Sequence, residues 1–156
     1  MKISYLADNP KDAKLIAKWY FDEWGHTIPS ITEEMVLKKV SLKAKNRIDF
    51  PLIITIHENQ DLVAAAELKF REHIDYPQYE HWVGGVYVVK NKRGKGYAKA
   101  LVSKAQEHVA ALKIEHLYLQ CEDHNKGLYE KLGFKPIHAA VHNGVETTIY
   151  VYKATT

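Results

Sequence analysis

A single cysteine, Cys121, stands in the 156 residues, so no internal disulfide can form and a packed core must hold the fold. That scarcity fits a reducing, cytoplasmic setting. No apolar run approaches the ~18 residues a membrane-spanning helix needs, and MKISYLADNPKD reads as no secretory leader. With 5 prolines, 8 glycines and no repeat or low-complexity tract, nothing reads as a linker, and residues 1–156 are expected to form one domain. A hydrophobic fraction of 46% with 26% charged residues excludes disorder. The most telling absence is local. From His81 through Gln106 there is no Asp or Glu, while Lys90, Lys92, Arg93, Lys95, Lys99 and Lys104 supply six cations. The formal charge of the whole chain is only +3, so the basic character is confined to one stretch. A small polyanion suits such a patch better than a nucleic acid, which asks for a broad basic face.

Hydrophobic periodicity outlines the elements. Lys2–Ala7 reads as a strand, and Ala13, Ile16, Ala17 and Tyr20 mark one face of a helix from Pro10 to Trp24. Ser30 with Glu33 forms an S-x-x-E capping box that opens a second helix to about Lys45. Pro51–His57 and Leu62–Arg71 are strands joined through Glu58-Asn59-Gln60-Asp61, and His73–Tyr79 is a polar, proline-broken loop. Trp82–Val89 is apolar on both faces, as a central strand would be. Ala98, Leu101, Val102, Ala105, Val109 and Leu112 follow helical spacing. Leu117, Leu119 and Cys121 alternate in a further strand, Lys126–Leu132 is a short helix ended by Gly133, and Phe134–Ala140 and Thr147–Lys153 flank an Asn143-Gly144 turn. The order βααβββαβαββ predicts a mixed α/β fold, its segment from Trp82 to Cys121 a right-handed crossover between near-parallel strands.

The chemistry concentrates in Val86-Tyr87-Val88-Val89-Lys90-Asn91-Lys92-Arg93-Gly94-Lys95-Gly96-Tyr97-Ala98. A strand, a cationic Gly-rich turn and a helix start point several backbone N–H groups and the positive end of a helix dipole at one spot. Two familiar phosphate loops are excluded. No G-x-x-x-x-G-K-[ST] occurs, and Lys99 stands where a dinucleotide fingerprint needs its third glycine.

What fits is R-x-x-G-x-A, Arg93–Gly96–Ala98, followed by Leu128-Tyr129-Glu130-Lys131-Leu132-Gly133-Phe134 in the form L-Y-x-x-x-G-F. With these two motifs and its element order, nearly the whole chain resembles the GCN5-related N-acetyltransferases. Trp24-Gly25 and Trp82-Val83-Gly84-Gly85-Val86-Tyr87-Val88 resemble a bacterial subgroup of that family, one similar to enzymes acting on acidic protein N-termini.

The resemblance implies acetyl-CoA as donor and a primary amine as acceptor. It places the pyrophosphate on Arg93, Gly94, Lys95, Gly96, Tyr97 and Ala98, and the pantetheine arm on the backbone of Val86 and Val88, where the fourth and fifth strands splay. Gly84-Gly85 suits a bulge whose amide, that of Val86, steadies the thioester oxygen. Tyr129 matches the family's general acid, a phenol of ordinary pKa ~10 able to protonate a departing thiolate. The general base does not carry over, because glycines occupy the fourth strand where many relatives have a carboxylate or histidine. His81, Glu80, Glu67, Glu122 or a water chain remain candidates. Glu122 stands where the family often has asparagine, and Asn125 is a substitute contact to CoA. Trp24, Glu67 and Trp82 are candidate acceptor contacts, an aromatic wall being able to hold an amine by cation–π contact. The oligomeric state stays open between monomer and homodimer. Two other classes stand beside the enzyme: a non-catalytic acyl-CoA-binding module, and a small RNA-binding protein using the basic stretch.

No metal is expected despite nine histidines. His138 and His142 are four apart at a strand end and share no helical face. Cys121-Glu122-Asp123-His124 reads as a core cysteine beside polar residues.

Overall fold

The computed structural model describes residues 1–154. Its elements are β1 (Lys2–Tyr5), α1 (Ala13–Trp24), α2 (Glu33–Ser41), β2 (Leu52–Glu58), β3 (Asp61–Phe70), β4 (His81–Val88), α3 (Tyr97–Ala111), β5 (His116–Cys121), α4 (Lys126–Lys131), β6 (Lys135–His142) and β7 (Val145–Lys153). They match the expected order. The seven strands form one sheet in the order β1-β2-β3-β4-β5-β7-β6. Only the β4–β5 pair is parallel, as the α3 crossover requires.

Two apolar layers sandwich the sheet. On one face, Leu101, Val102, Ala105 and Val109 of α3 pack over Ile54, Ala66, Val83, Leu117 and Leu119. On the other, Ile16, Ala17 and Tyr20 of α1 with Val40 of α2 pack over Ile53 and Ala65. A fully buried Leu101 or Ile16 contributes about 1.5–3 kcal/mol each. β3 is buried from Leu62 to Leu68 because both faces of this central strand are covered. Among the described residues, no helix is long and apolar enough to cross a membrane.

Several boundaries differ from the sequence reading, for local reasons. β1 stops at Tyr5, where a 3-10 turn over Leu6–Asp8 begins. The cap of α2 is Thr32, whose hydroxyl accepts from Met35 N–H at 3.2 Å. Ser30 has φ 62 and leads into the helix rather than capping it. α2 accordingly ends at Ser41, with a 3-10 turn over Leu42–Ala44 completing the expected span. The β2–β3 connection is a tight turn on Asn59 and Gln60, both left-handed, and Asn143-Gly144 closes β6–β7 in the same way.

Candidate active site

β4 and β5 pair only at Trp82↔Tyr118 and then part. Beyond that point β4 keeps company with β3 alone, and a cleft of about 540 Å³ opens between the parted strands. The register of β4 on β3 jumps there: Glu67 faces Gly84 and Ala65 faces Tyr87, so Gly85 and Val86 together oppose Ala66. This is the expected bulge, and Gly85 takes the left-handed φ of +54 that a side chain would resist.

The bulge turns usable backbone towards the gap. Val89 N–H bonds back to Val63 O at 3.0 Å in β3, so by strand alternation Val88 and Val86 direct their own amides and carbonyls the other way, at the parting with β5. The Val88 carbonyl is already occupied, accepting Arg93 Nε at 2.8 Å. The Gly85 carbonyl, on the opposite edge of the peptide from Val86 N–H, accepts the Tyr20 hydroxyl at 2.7 Å. Burial, seconded by the Glu67 charge, holds Tyr20 protonated well above its ordinary pKa, so it remains a donor.

The cationic turn joins β4 to α3. Gly94 and Gly96 are exposed with φ of 78 and 88, and a Cβ on either would meet nothing within 4 Å, so the space beside the turn is open. Lys95 and Lys99 are exposed around them, Ala98 is half-buried, and the Tyr97 ring points into the core. The Arg93 side chain is exposed but folds back on the turn. Its guanidinium lies 5.4 Å from the Tyr87 ring centre and its Nε anchors Val88, so it braces the turn.

The cleft passes through the sheet. β5 alternates, placing Cys121 in the core beneath α3 and Gln120 on the opposite face. On the α3 side, Tyr129 and Asn125 line the cleft with Cys121 and Glu122. Burial, and after it the neighbouring Cys121, pushes the Tyr129 phenol up to about 12. Burial likewise pushes the Cys121 thiol to about 11, making it a poor nucleophile at neutral pH. On the other side the walls are Lys69, Glu72, Gln120, His142 and Thr147, joined by Trp24 at the end of α1 and by His26 and Ile28 just after it.

Of the residues singled out from sequence, Val86, Trp24, Glu122, Asn125 and Tyr129 meet at this cleft. Four candidates for the base or the acceptor contacts do not, and Val88 and the turn from Arg93 to Ala98 lie outside its lining. Trp82 is fully buried, its indole N–H donating to Tyr79 O at 2.7 Å, so it supports the sheet instead of an acceptor. His81 is wedged edge-on against Phe50 and Phe70 outside the cleft, and burial, partly offset by Glu80, lowers its pKa. Glu67 is buried between Lys43 Nζ at 2.8 Å and Lys69 Nζ at 3.4 Å. Glu80 is exposed and pairs with Arg71 at 3.3 Å.

Sequence reasoning missed Glu72. It lies in the polar stretch after β3 and belongs to no motif, yet its carboxylate folds back over Gly84: a Cβ there would lie 2.6 Å from Glu72 Oε1. The paired glycines were the available signal, because a central strand without side chains leaves a space for another group to fill. Among the described residues, no group of three or more His, Cys, Asp or Glu side chains is arranged to hold a metal.

Comparison with known proteins agrees with this fold. An N-acetyltransferase from Staphylococcus aureus Mu50 superposes with TM-score 0.74 at 19% identity, over 99% of this chain and 100% of its own. A ribosomal-protein-alanine N-acetyltransferase from Brucella melitensis gives TM-score 0.77 at 16% identity, over 98% and 99%. Arabidopsis thaliana NAA60 in complex with acetyl-CoA gives 0.70 at 16%, over 97% of both chains. No curated protein matches by sequence. Residues 13–134 match the model of the Acetyltransferase (GNAT) family, and with most of its length so matched the chain belongs to that family.

Proposed function

We propose that the protein transfers the acetyl group of acetyl-CoA to a primary amine without a covalent enzyme intermediate. The observation that carries this reading is that Val86 on β4 and Tyr129 on α4 line one cleft across the parted strands. The Val86 amide donates to the thioester oxygen as negative charge gathers on it, which is where a preorganised donor lowers the barrier most. The pantetheine arm bonds to the gap-facing backbone of Val86 and to Val88 N–H, its carbonyl being taken by Arg93. The pyrophosphate rests on the amides of Gly94 to Ala98, with Lys95 and Lys99 beside it.

Tyr129 serves the leaving sulfur. With its pKa pushed up to about 12 it holds its proton more tightly than a thiol of pKa ~8.5 would, so it stabilises the thiolate as a hydrogen-bond donor and passes its proton to the sulfur only as its oxygen receives another from the reacting nitrogen. The lone buried cysteine suits a reducing, cytoplasmic setting.

Calorimetry with acetyl-CoA, followed by assay of free thiol with a panel of amines and peptides, tests the reading. Tight binding and amine-dependent thiol release are expected. Binding with no release across the panel would make the protein an acyl-CoA-binding module, and no binding at all would remove the assignment.

A further inference from the structure

Four charges alternate in a row from α2's far end to the cleft. Lys43 Nζ lies 2.8 Å from Glu67, Lys69 Nζ lies 3.4 Å from Glu67 and 3.1 Å from Glu72 Oε1, and Glu72 forms the cleft end. Glu67 and Glu72 keep only 5% and 9% of their side-chain surface exposed. Charges buried to this degree need partners, and the row as a whole is neutral. Its last member is aimed and held: Gln120 Nε2 donates to Glu72 Oε2 at 2.8 Å, and Thr147 Oγ1 donates to Gln120 Oε1 at 2.9 Å. A carboxylate offers about four acceptor sites, so two partners leave capacity facing the cavity that Glu72 lines.

We infer that Glu72 is the seat of the acceptor's ammonium group and takes up the proton that the amine must shed, an inference that rests on the transferase reading for its second half. A cationic amine continues the alternation as the fifth charge. The rest of the cleft agrees: Glu23 and Glu122 also line it, its one lysine is already shared between two carboxylates, and the exposed Trp24 ring offers a cation–π face. The cleft thus carries an anionic lining, while the cations of the turn between β4 and α3 lie outside it. Burial, countered in part by Glu72, holds His142 neutral, so it adds no competing charge.

In the reaction, the amine nitrogen bonds to the thioester carbon as the C–S bond breaks. Of the two protons the ammonium loses, one passes to Glu72 and then to solvent, and the other ends on the CoA sulfur through the Tyr129 hydroxyl. Lys69 is excluded as acceptor because the two carboxylates hold its proton tightly, above the ordinary lysine range.

The probes are 2-phenylethylamine and its neutral counterpart 2-phenylethanol, titrated calorimetrically into the CoA-bound protein. The wild-type protein is expected to bind the amine about tenfold or more tightly than the alcohol. Glu72→Gln should bring the two within about threefold. Gly84→Ala should do the same by a separate route, its methyl displacing the flexible carboxylate without altering it. Acetyl-CoA affinity should be unchanged in both variants. In thiol-release assays with the amine, Glu72→Gln should lose about 100-fold in kcat/KM at pH 7 and less than tenfold near pH 10, where roughly a quarter of an amine of pKa ~10.4 is already neutral, against well under a thousandth at pH 7. No preference for the amine in the wild-type protein, or a preference that survives in Glu72→Gln, overturns the ammonium seat. A loss equal at both pH values, or no amine-dependent thiol release, overturns the proton role. Failure of acetyl-CoA to bind strikes the transferase reading instead and leaves the amine preference standing.

Discussion

The Tyr20 hydroxyl reaches across 65 residues of chain to the Gly85 carbonyl, at 2.7 Å, and so sets the plane of the Gly85–Val86 peptide. One edge of that peptide is held by α1 and the other carries the N–H that faces the gap. Helix α1 therefore reaches the Val86 N–H through one hydrogen bond.

Tyr20→Phe should separate positioning from binding. The ring stays packed between α1 and β4, and the Gly85 carbonyl loses its donor at a cost of about 1 kcal/mol. Losing an oxyanion donor outright costs roughly 10²–10³ in kcat, so misorienting one should cost about tenfold. The fall should appear in kcat, with acetyl-CoA affinity unchanged. A variant that loses stability but keeps full kcat in its folded fraction would make Tyr20 a core residue only.

Tyr129→Phe removes the hydroxyl from the other wall. A positioned acid is worth roughly 10²–10⁴-fold, and CoA thiolate is a fair leaving group, so a drop near 10² is expected in kcat and kcat/KM alike. Rates measured with a panel of acyl thioesters should show the loss shrinking as the leaving thiol becomes more acidic. Full turnover at saturating substrate would assign the proton to water.

Gly96→Asp probes the turn. The left-handed φ of +88 strains any side chain there, and a carboxylate would stand where the amides receive phosphate. Acetyl-CoA affinity should fall by at least about 100-fold while circular dichroism keeps the native signal. Native affinity in the folded variant would place the pyrophosphate elsewhere.

The fold was legible because its signals are local and repeated. Ile16, Ala17 and Tyr20 at helical spacing, and Leu117, Leu119 and Cys121 in alternation, each report one buried face. The Gly94–Gly96 turn was legible because left-handed backbone calls for glycine, whereas Tyr129 was singled out only by its resemblance to a family motif. The acceptor side was not. Glu72 comes from the end of β3, Gln120 from β5, and His142 and Thr147 from the last hairpin, and only the parting of β4 from β5 brings them to one wall. Trp82 misled for a related reason: it flanks the cleft in sequence, but its side chain points to the covered face with Ala140 and Ile149.

Glu67, plausible from sequence as a base or an acceptor contact, is held here as a structural charge, and its removal tests that distinction. Burial alone would raise its pKa, but the Lys69 and Lys43 charges outweigh it, and the carboxyl stays below its ordinary value. Glu67→Gln leaves two lysines facing an uncharged amide in a place where only 5% of the carboxylate's surface was exposed. Breaking a buried pair from one side costs about 3–5 kcal/mol, which lowers Tm by roughly 10 °C in a chain of this size. The pH dependence has a definite sign. Because the folded carboxyl is the stronger acid, its contribution is present at neutral pH and is lost as pH falls below about 4.3 through the folded value. The Gln variant should therefore lose less additional stability than the wild-type protein between pH 5 and pH 3, in urea titrations at each pH. Its kcat should stay within about tenfold of normal, against the larger and pH-dependent loss expected of Glu72→Gln. An unchanged Tm together with a kcat loss as deep as that of Glu72→Gln would return Glu67 to the catalytic machinery.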